Sequence, residues 1–448
     1  LPPSDPNRDR TNRFACNMKG EKIHWKTVWV LTILLFISAI ASAQSLGTST
    51  EGSTAITLRE NNSDPSELFD SLFFSTPIIH RLGVEIRPGY ILPTNPYFKG
   101  ENSTSQPVRS SFSTYLKYSF RFFPNTLADK IYAKPYQGIG LAAYNLSHSQ
   151  ELGTPFVFYL FQGAQISQIN PKLSLNYEWN FGLSLGWKPY NRETNPGNTV
   201  IGSKANAYIN TNFYFSWLLS ERLNFDTGLS ITHFSNGNTK FPNAGLNTLA
   251  LKAGVQYSFA RKNEPQISPS DLFIPAFKRH ISYDLVMFGS WRRTGVDFLD
   301  AQVASPVAYP VMGFCFAPMY NFGYKLRLGV SLDGFYDGSA NVYTQDYIAG
   351  TEQEFFKPPL DEQLALGISS RAEYVMPYFT VGLGVGKSFL YSKGDLKAFY
   401  QIIALKTEIT RNSFVHIGYS IKDFHMPNFL MLGLGFRFNS QYPSFYRK

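Results

Sequence analysis

A histidine and a serine two residues apart, His233 and Ser235, are followed twelve residues on by an asparagine, Asn247. These three residue types can make a nucleophile group. On an extended chain, side chains at positions i and i+2 point the same way, so His233 and Ser235 would share one face. The hydroxyl would attack an ester carbonyl, the imidazole would take its proton and later give it to the leaving alcohol, and the asparagine would orient the ring. Between them runs a loop rich in turn formers, from Asn236-Gly237 to Pro242-Asn243-Ala244-Gly245. Asn236, or backbone amides between Gly237 and Gly245, would supply donors to the developing oxyanion. Lys240, with Arg192, Arg292 and Arg293 near other long loops, would meet phosphate groups as charge-assisted donors, against the plainer reading of solvated loop charges.

The elements that must carry these residues are strands. From 173 to 188 the odd positions are Leu173, Leu175, Tyr177, Trp179, Phe181, Leu183, Leu185 and Trp187, and the even ones are polar or glycine. One face therefore meets an apolar medium and the other a polar, Gly-lined interior. The run is longer than an average globular strand. Similar alternation predicts eight strands at about 78–92, 110–122, 135–145, 154–168, 171–186, 203–219, 222–234 and 247–259. Eight more fall at 280–291, 308–317, 324–336, 361–376, 378–389, 396–409, 412–422 and 427–438. Short and long connections alternate, as in outer-membrane barrels with long extracellular loops; the connection 123–134 is longer than that rule prefers. His233 and Ser235 share parity with Leu223, Phe225, Leu229 and Ile231, and Asn247 with Leu249, Leu251, Val255 and Tyr257. All three would lie on the lipid-facing side, at the loop end. Polar side chains are costly there unless they satisfy one another.

Composition agrees with a membrane β-barrel. Aromatic residues make up 16% and charged residues 16%, against about 25% charged in soluble domains. A mean hydropathy of -0.17 and the absence of a later run of about 18 apolar residues argue against a helical membrane protein. Met18 begins a basic stretch, an apolar run and Ala41-Ser42-Ala43, which reads as a signal peptide over 18–43, cut before Gln44, with 1–17 as upstream sequence. Removing the six basic and three acidic residues of 1–43 lowers the net charge from +9 to +6. With no basic helix, nucleic acid is not an expected partner. Cys16 falls in the removed segment, so Cys315 stands alone and no intrachain disulfide forms.

The halves repeat. Residues 223–236 line up with 413–426, and 252–259 with 431–438. The expected organisation is an all-β, eight-stranded antiparallel barrel unit at 75–260, a linker at 261–278 and a second, degenerate barrel-like repeat at 279–440. Two tandem barrels are the first choice, and one sixteen-stranded barrel is the alternative. In the second half Asp423 and His425 stand where His233 and Ser235 stand, so no nucleophile survives there.

His233-Phe-Ser235-Asn236-Gly237 followed by Pro242-Asn243-x-Gly245 resembles the lipid A 3-O-deacylase family, also called acyloxyacyl hydrolases, over roughly 75–260. The resemblance implies an eight-stranded outer-membrane barrel of a Gram-negative bacterium. It also implies a serine esterase site on the exterior, with His233 as base and Ser235 as nucleophile, acting on lipid A or lipopolysaccharide. The family's glutamate falls on Asn247, a departure. A Ser-His-Asn group is similar to that of outer-membrane phospholipase A, which makes phospholipid the alternative substrate. A non-catalytic channel or scaffold is the remaining alternative. No cofactor is expected. His80, His148, His280 and His416 lack metal-ligand spacing, and no acidic cluster adjoins the motif to hold calcium. The Gly-rich run at 382–386 alternates as a strand and lacks the lysine and helix of a nucleotide loop. Oligomeric state is not legible.

Overall fold

The structure, a computed structural model, describes residues 78–441 except 123–125, 260–273, 275, 299–300, 346–352, 393, 398 and 425. The expected signal peptide, Cys16 and His425 lie outside the described residues.

The first eight strands are β1 (Ile78–Ile91), β2 (Ser110–Phe122), β3 (Tyr136–Leu146), β4 (Gly153–Asn170), β5 (Leu173–Trp187), β6 (Ala205–Leu218), β7 (Leu223–Ser235) and β8 (Leu246–Ser258). Each pairs antiparallel with the next, and β8 returns to β1 through pairs such as Val84↔Val255, closing a barrel. The second set begins with β9 (His280–Arg292), a hairpin of β10 (Gly295–Phe298) and β11 (Ala301–Ala304), then β12 (Tyr309–Asn321) and β13 (Leu326–Asp337). A small ladder of β14 (Tyr343–Thr344) and β15 (Phe355–Phe356) precedes β16 (Leu364–Val375), β17 (Phe379–Tyr391), β18 (Phe399–Glu408), β19 (Ser413–Lys422) and β20 (Met426–Phe438). Here β20 closes on β9. The fold is therefore two closed eight-stranded barrels, and the sixteen-stranded alternative is excluded because β8 bonds to β1 rather than to β9. Among the described residues no helix is long and apolar enough to cross a membrane, whereas strands cross without one.

Both faces follow the sequence period. On β7 and β8 the outward Leu229, Ile231, Leu249 and Leu251 are exposed, while the inward Ser230, Thr232, Thr248 and Lys252 are buried. The first lumen is a packed polar core. Lys117 Nζ lies 2.9 Å from Glu85 and 2.6 Å from Glu178, Lys252 Nζ lies 3.0 Å from Glu85, and Arg87 pairs with Glu85. Buried charges are tolerated only when paired and hydrogen-bonded in this way. Above them Tyr115, Tyr144, Tyr159, Tyr208 and Phe234 fill the outer half with ring-to-ring contacts. The second lumen repeats the device with Asp284, Arg327, Glu373, Lys406 and Arg437.

Trp187 breaks the expected alternation. Beside a register shift in β4 between Gly153 and Phe156, Gly186 at φ +92° turns its indole inward, where it donates to Ser184 Oγ at 2.8 Å and packs on Phe234. The alternation of β4 runs on through its extra residue, so the reversal lies in β5 at Gly186, whose left-handed backbone an L side chain would resist. The long connection 123–134 is also explained. It holds helix α2 (Leu127–Tyr132), capped by Thr126 Oγ1 on the Asp129 N–H, after a short α1 (Pro96–Lys99) in the first loop and before α3 (Ser149–Leu152) in the third.

The two barrels fall in one compact unit and touch at both rims. At the second barrel's short-turn rim, Tyr324 and Tyr378 pack with Ile131 and Tyr132 of α2, and Phe379 meets Trp179, midway along the first barrel's wall, edge-on with ring centroids 5.3 Å apart. At the long-loop rim, the second barrel meets the loop between β7 and β8.

Candidate active site on the outer barrel wall

Antiparallel pairing sets His233 directly opposite Asn247, one pair beyond Thr232↔Thr248 and two beyond Ile231↔Leu249. The apolar belt thus ends where the polar pair begins. His233 Nδ1 and Asn247 Oδ1 are 2.7 Å apart. An amide oxygen only accepts, so this contact places the ring proton on Nδ1 and leaves Nε2 as the acceptor. The opening loop holds the other side of Asn247. Its backbone oxygen accepts from the Leu92 N–H at 2.9 Å, and its Nδ2 faces Thr94 Oγ1 at 3.5 Å.

Ser235 ends β7, on the same face as His233 and opposite the small Ala207 of β6. It is buried, at 8% exposure. Among the described residues its hydroxyl makes no hydrogen bond to His233. Such contacts often tighten only with substrate in place.

The 236–245 loop closes the site from above. Gly237 and Asn238 both have positive φ, +65° and +63°, which reverses the chain in two residues. Asn236 donates its backbone N–H to Asn243 Oδ1 at 2.9 Å and its side-chain amide to the Lys240 carbonyl at 2.7 Å. In this conformation both asparagines brace the loop rather than aim donors at the serine. Gly245, at φ +71°, passes over the imidazole edge. A Cβ there would stand 3.0 Å from His233 Cε1, so glycine is required by backbone and by space. The loop between β5 and β6 supports the outer side through Ala244 N–H to Val200 O at 3.1 Å and an Ile201↔Asn243 bridge.

Lys240 is exposed at the rim. Arg192 lies in the neighbouring loop and is exposed. Arg292 and Arg293, also expected near long loops, bond to groups of the second barrel's own rim. Arg292 Nη1 is 3.0 Å from Asp337 Oδ2, and Arg293 donates to the Pro306 carbonyl. Asp423, the second-half counterpart of His233, sits in the turn between β19 and β20 and accepts from the Phe399 N–H at 3.2 Å. Sequence reasoning missed Thr94, Leu430 and Asn428 as neighbours of this site, because each arrives from another loop or the other barrel.

Closed eight-stranded barrels with an apolar outer face and charged, ion-paired interiors define a class, that of outer-membrane β-barrels. Residues 165–256 match the family model of lipid A 3-O-deacylase (PagL), and 281–440 match that of the acyloxyacyl hydrolase C-terminal domain. These matches together span more than half of the chain, which belongs to the lipid A 3-O-deacylase family of outer-membrane acyl ester hydrolases. No curated protein matches it. Among solved structures, Neisserial surface protein A is 9% identical and covers 41% of this chain and 99% of its own, with a TM-score of 0.27. The FrpB iron transporter from Neisseria meningitidis is 9% identical over 80% and 70%, with a TM-score of 0.20.

Proposed function

We propose that this protein is an outer-membrane serine esterase that removes an acyl chain from lipid A or lipopolysaccharide, using Ser235, His233 and Asn247. The observation that carries the reading is the 2.7 Å contact between His233 and Asn247 on the lipid-facing side, two residues from Ser235. Ser235 Oγ attacks the ester carbonyl while His233 Nε2 takes its proton. The imidazolium then protonates the departing alcohol, leaving the acyl group on Ser235. Water, activated by the same nitrogen, releases the fatty acid and restores the hydroxyl. Backbone amides of the 237–245 loop are the donors proposed for the oxyanion, other than those of Thr239, Phe241 and Ala244, which are bonded to the carbonyls of Asn236, Arg293 and Val200. Lys240 at the rim receives headgroup phosphate.

Placement favours a bilayer substrate. An ester in the outer leaflet reaches the group sideways, with its chain along Ile231 and Leu249. The amide of Asn247, in place of the family's glutamate, orients the ring without a full charge to stabilise the imidazolium, so a slower reaction is expected than with a carboxylate. It also keeps phospholipid as the second substrate to measure. The test is expression in a Gram-negative host with mass analysis of lipid A and phospholipid, comparing the wild type with Ser235→Ala. Loss of one acyl chain only in the wild type supports the proposal, and unchanged lipids with a folded barrel refute it.

A further inference from the structure

The second barrel has Asp423 where the first has His233, yet it grips the loop that closes the site. The Arg293 backbone brackets Lys240: its carbonyl accepts from the Phe241 N–H at 3.0 Å, and its N–H donates to the Thr239 carbonyl at 3.2 Å. One residue bonded to both chain neighbours of another is the unit of a parallel ladder, here one bridge long. Asn238, turned outward by its positive φ, donates Nδ2 to the Asn428 carbonyl at 2.9 Å. A Cβ built on Gly237 would stand 3.4 Å from Leu430 Cβ and Cδ1, so that backbone rests on the Leu430 side chain.

These anchors are fixed in the second barrel. Asn428 Nδ2 donates to Ser420 Oγ at 3.2 Å, its Oδ1 accepts from Arg292 at 3.4 Å, and Arg292 pairs with Asp337. A rigid neighbour with hydrogen bonds on both sides of a turn removes the freedom a ten-residue loop would otherwise keep.

We infer that the second barrel is a positioning partner of the esterase site, with Asn238 and Leu430 as the contacts that hold the 236–245 loop over Ser235 and His233. This rests on the function proposed above. The loop follows directly on Ser235, the last residue of its strand, and carries the donors proposed for the oxyanion, so its release misplaces donors and nucleophile together. Displacement of about 1 Å in such groups costs on the order of a hundredfold in rate.

The test uses the full-length protein in detergent–lipid micelles with the double variant Asn238→Asp, Leu430→Ala. Aspartate keeps the residue's tolerance of positive φ but turns a donor towards two carbonyl oxygens into an acceptor. Two readouts are taken, backbone hydrogen exchange of 236–245 and steady-state deacylation. The expected result is faster exchange in 236–245, unchanged exchange in β8, and a kcat lowered at least tenfold with KM within about threefold. Restoring Asn238 alone should recover part of the rate. Unprotected exchange of the loop in the wild type, or full kcat in a variant whose loop exchanges fast, overturns the inference. Deacylation that persists in Ser235→Ala instead overturns the proposed function, whatever the loop does.

Discussion

Asn247 Oδ1 faces His233 Nδ1 at 2.7 Å across directly opposed positions of β7 and β8, on the outward side of a closed barrel. The register of one hairpin therefore sets the imidazole's tautomer and aim. Truncating Asn247 to alanine should leave the barrel folded and lower kcat about tenfold to a hundredfold, because the ring loses its orienting acceptor. Replacing it with glutamate should raise kcat above wild type by supplying charge to the imidazolium. Steady-state rates of both variants check this, and an unchanged Asn247→Ala rate counts against the pair's role.

Gly245 is predicted to be irreplaceable. A methyl group there meets His233 Cε1 at 3.0 Å, and φ +71° adds strain of about 1–2 kcal/mol for a side-chain-bearing residue. Gly245→Ala should lower activity more than tenfold while heat-modifiable mobility in gels still reports a folded barrel.

The lumen pairs make a stability prediction. Lys117 bridges Glu85 and Glu178, all buried. Lys117→Ala leaves two carboxylates facing each other and should cost about 3–5 kcal/mol, read as a lower unfolding midpoint in urea. Lys117→Ala and Glu178→Gln combined should recover part of that loss.

Neither barrel should conduct. Paired charges and a layer of tyrosines fill the first interior, and a charged core fills the second. An eight-stranded barrel encloses a space that side chains can fill or that holds at most one small ligand. Planar-bilayer recordings should show no stepwise current, and regular open-channel steps would contradict the packed lumen.

Much of this was legible in the alternation of residues. The strand Leu223–Ser235 and its partner Leu246–Ser258 lie within a residue or two of the expected segments, because one face meets lipid and the other a polar core. Closure was not legible, since the same period serves one barrel or two and only the β8-to-β1 and β20-to-β9 bonds decide. Trp187 was misplaced because a period of two does not register the break at Gly186, where φ is +92°. The outward positions of His233, Ser235 and Asn247 followed from parity alone. The grip of Asn428 and Leu430 on their loop did not, because it joins residues nearly two hundred positions apart.

The most direct test is the lipid A mass spectrum of a Gram-negative host expressing the protein. The account predicts a species lighter by one acyl chain with the wild type and none with Ser235→Ala or His233→Ala at equal levels of folded barrel. Identical spectra for all three, or a shift that survives Ser235→Ala, would contradict it.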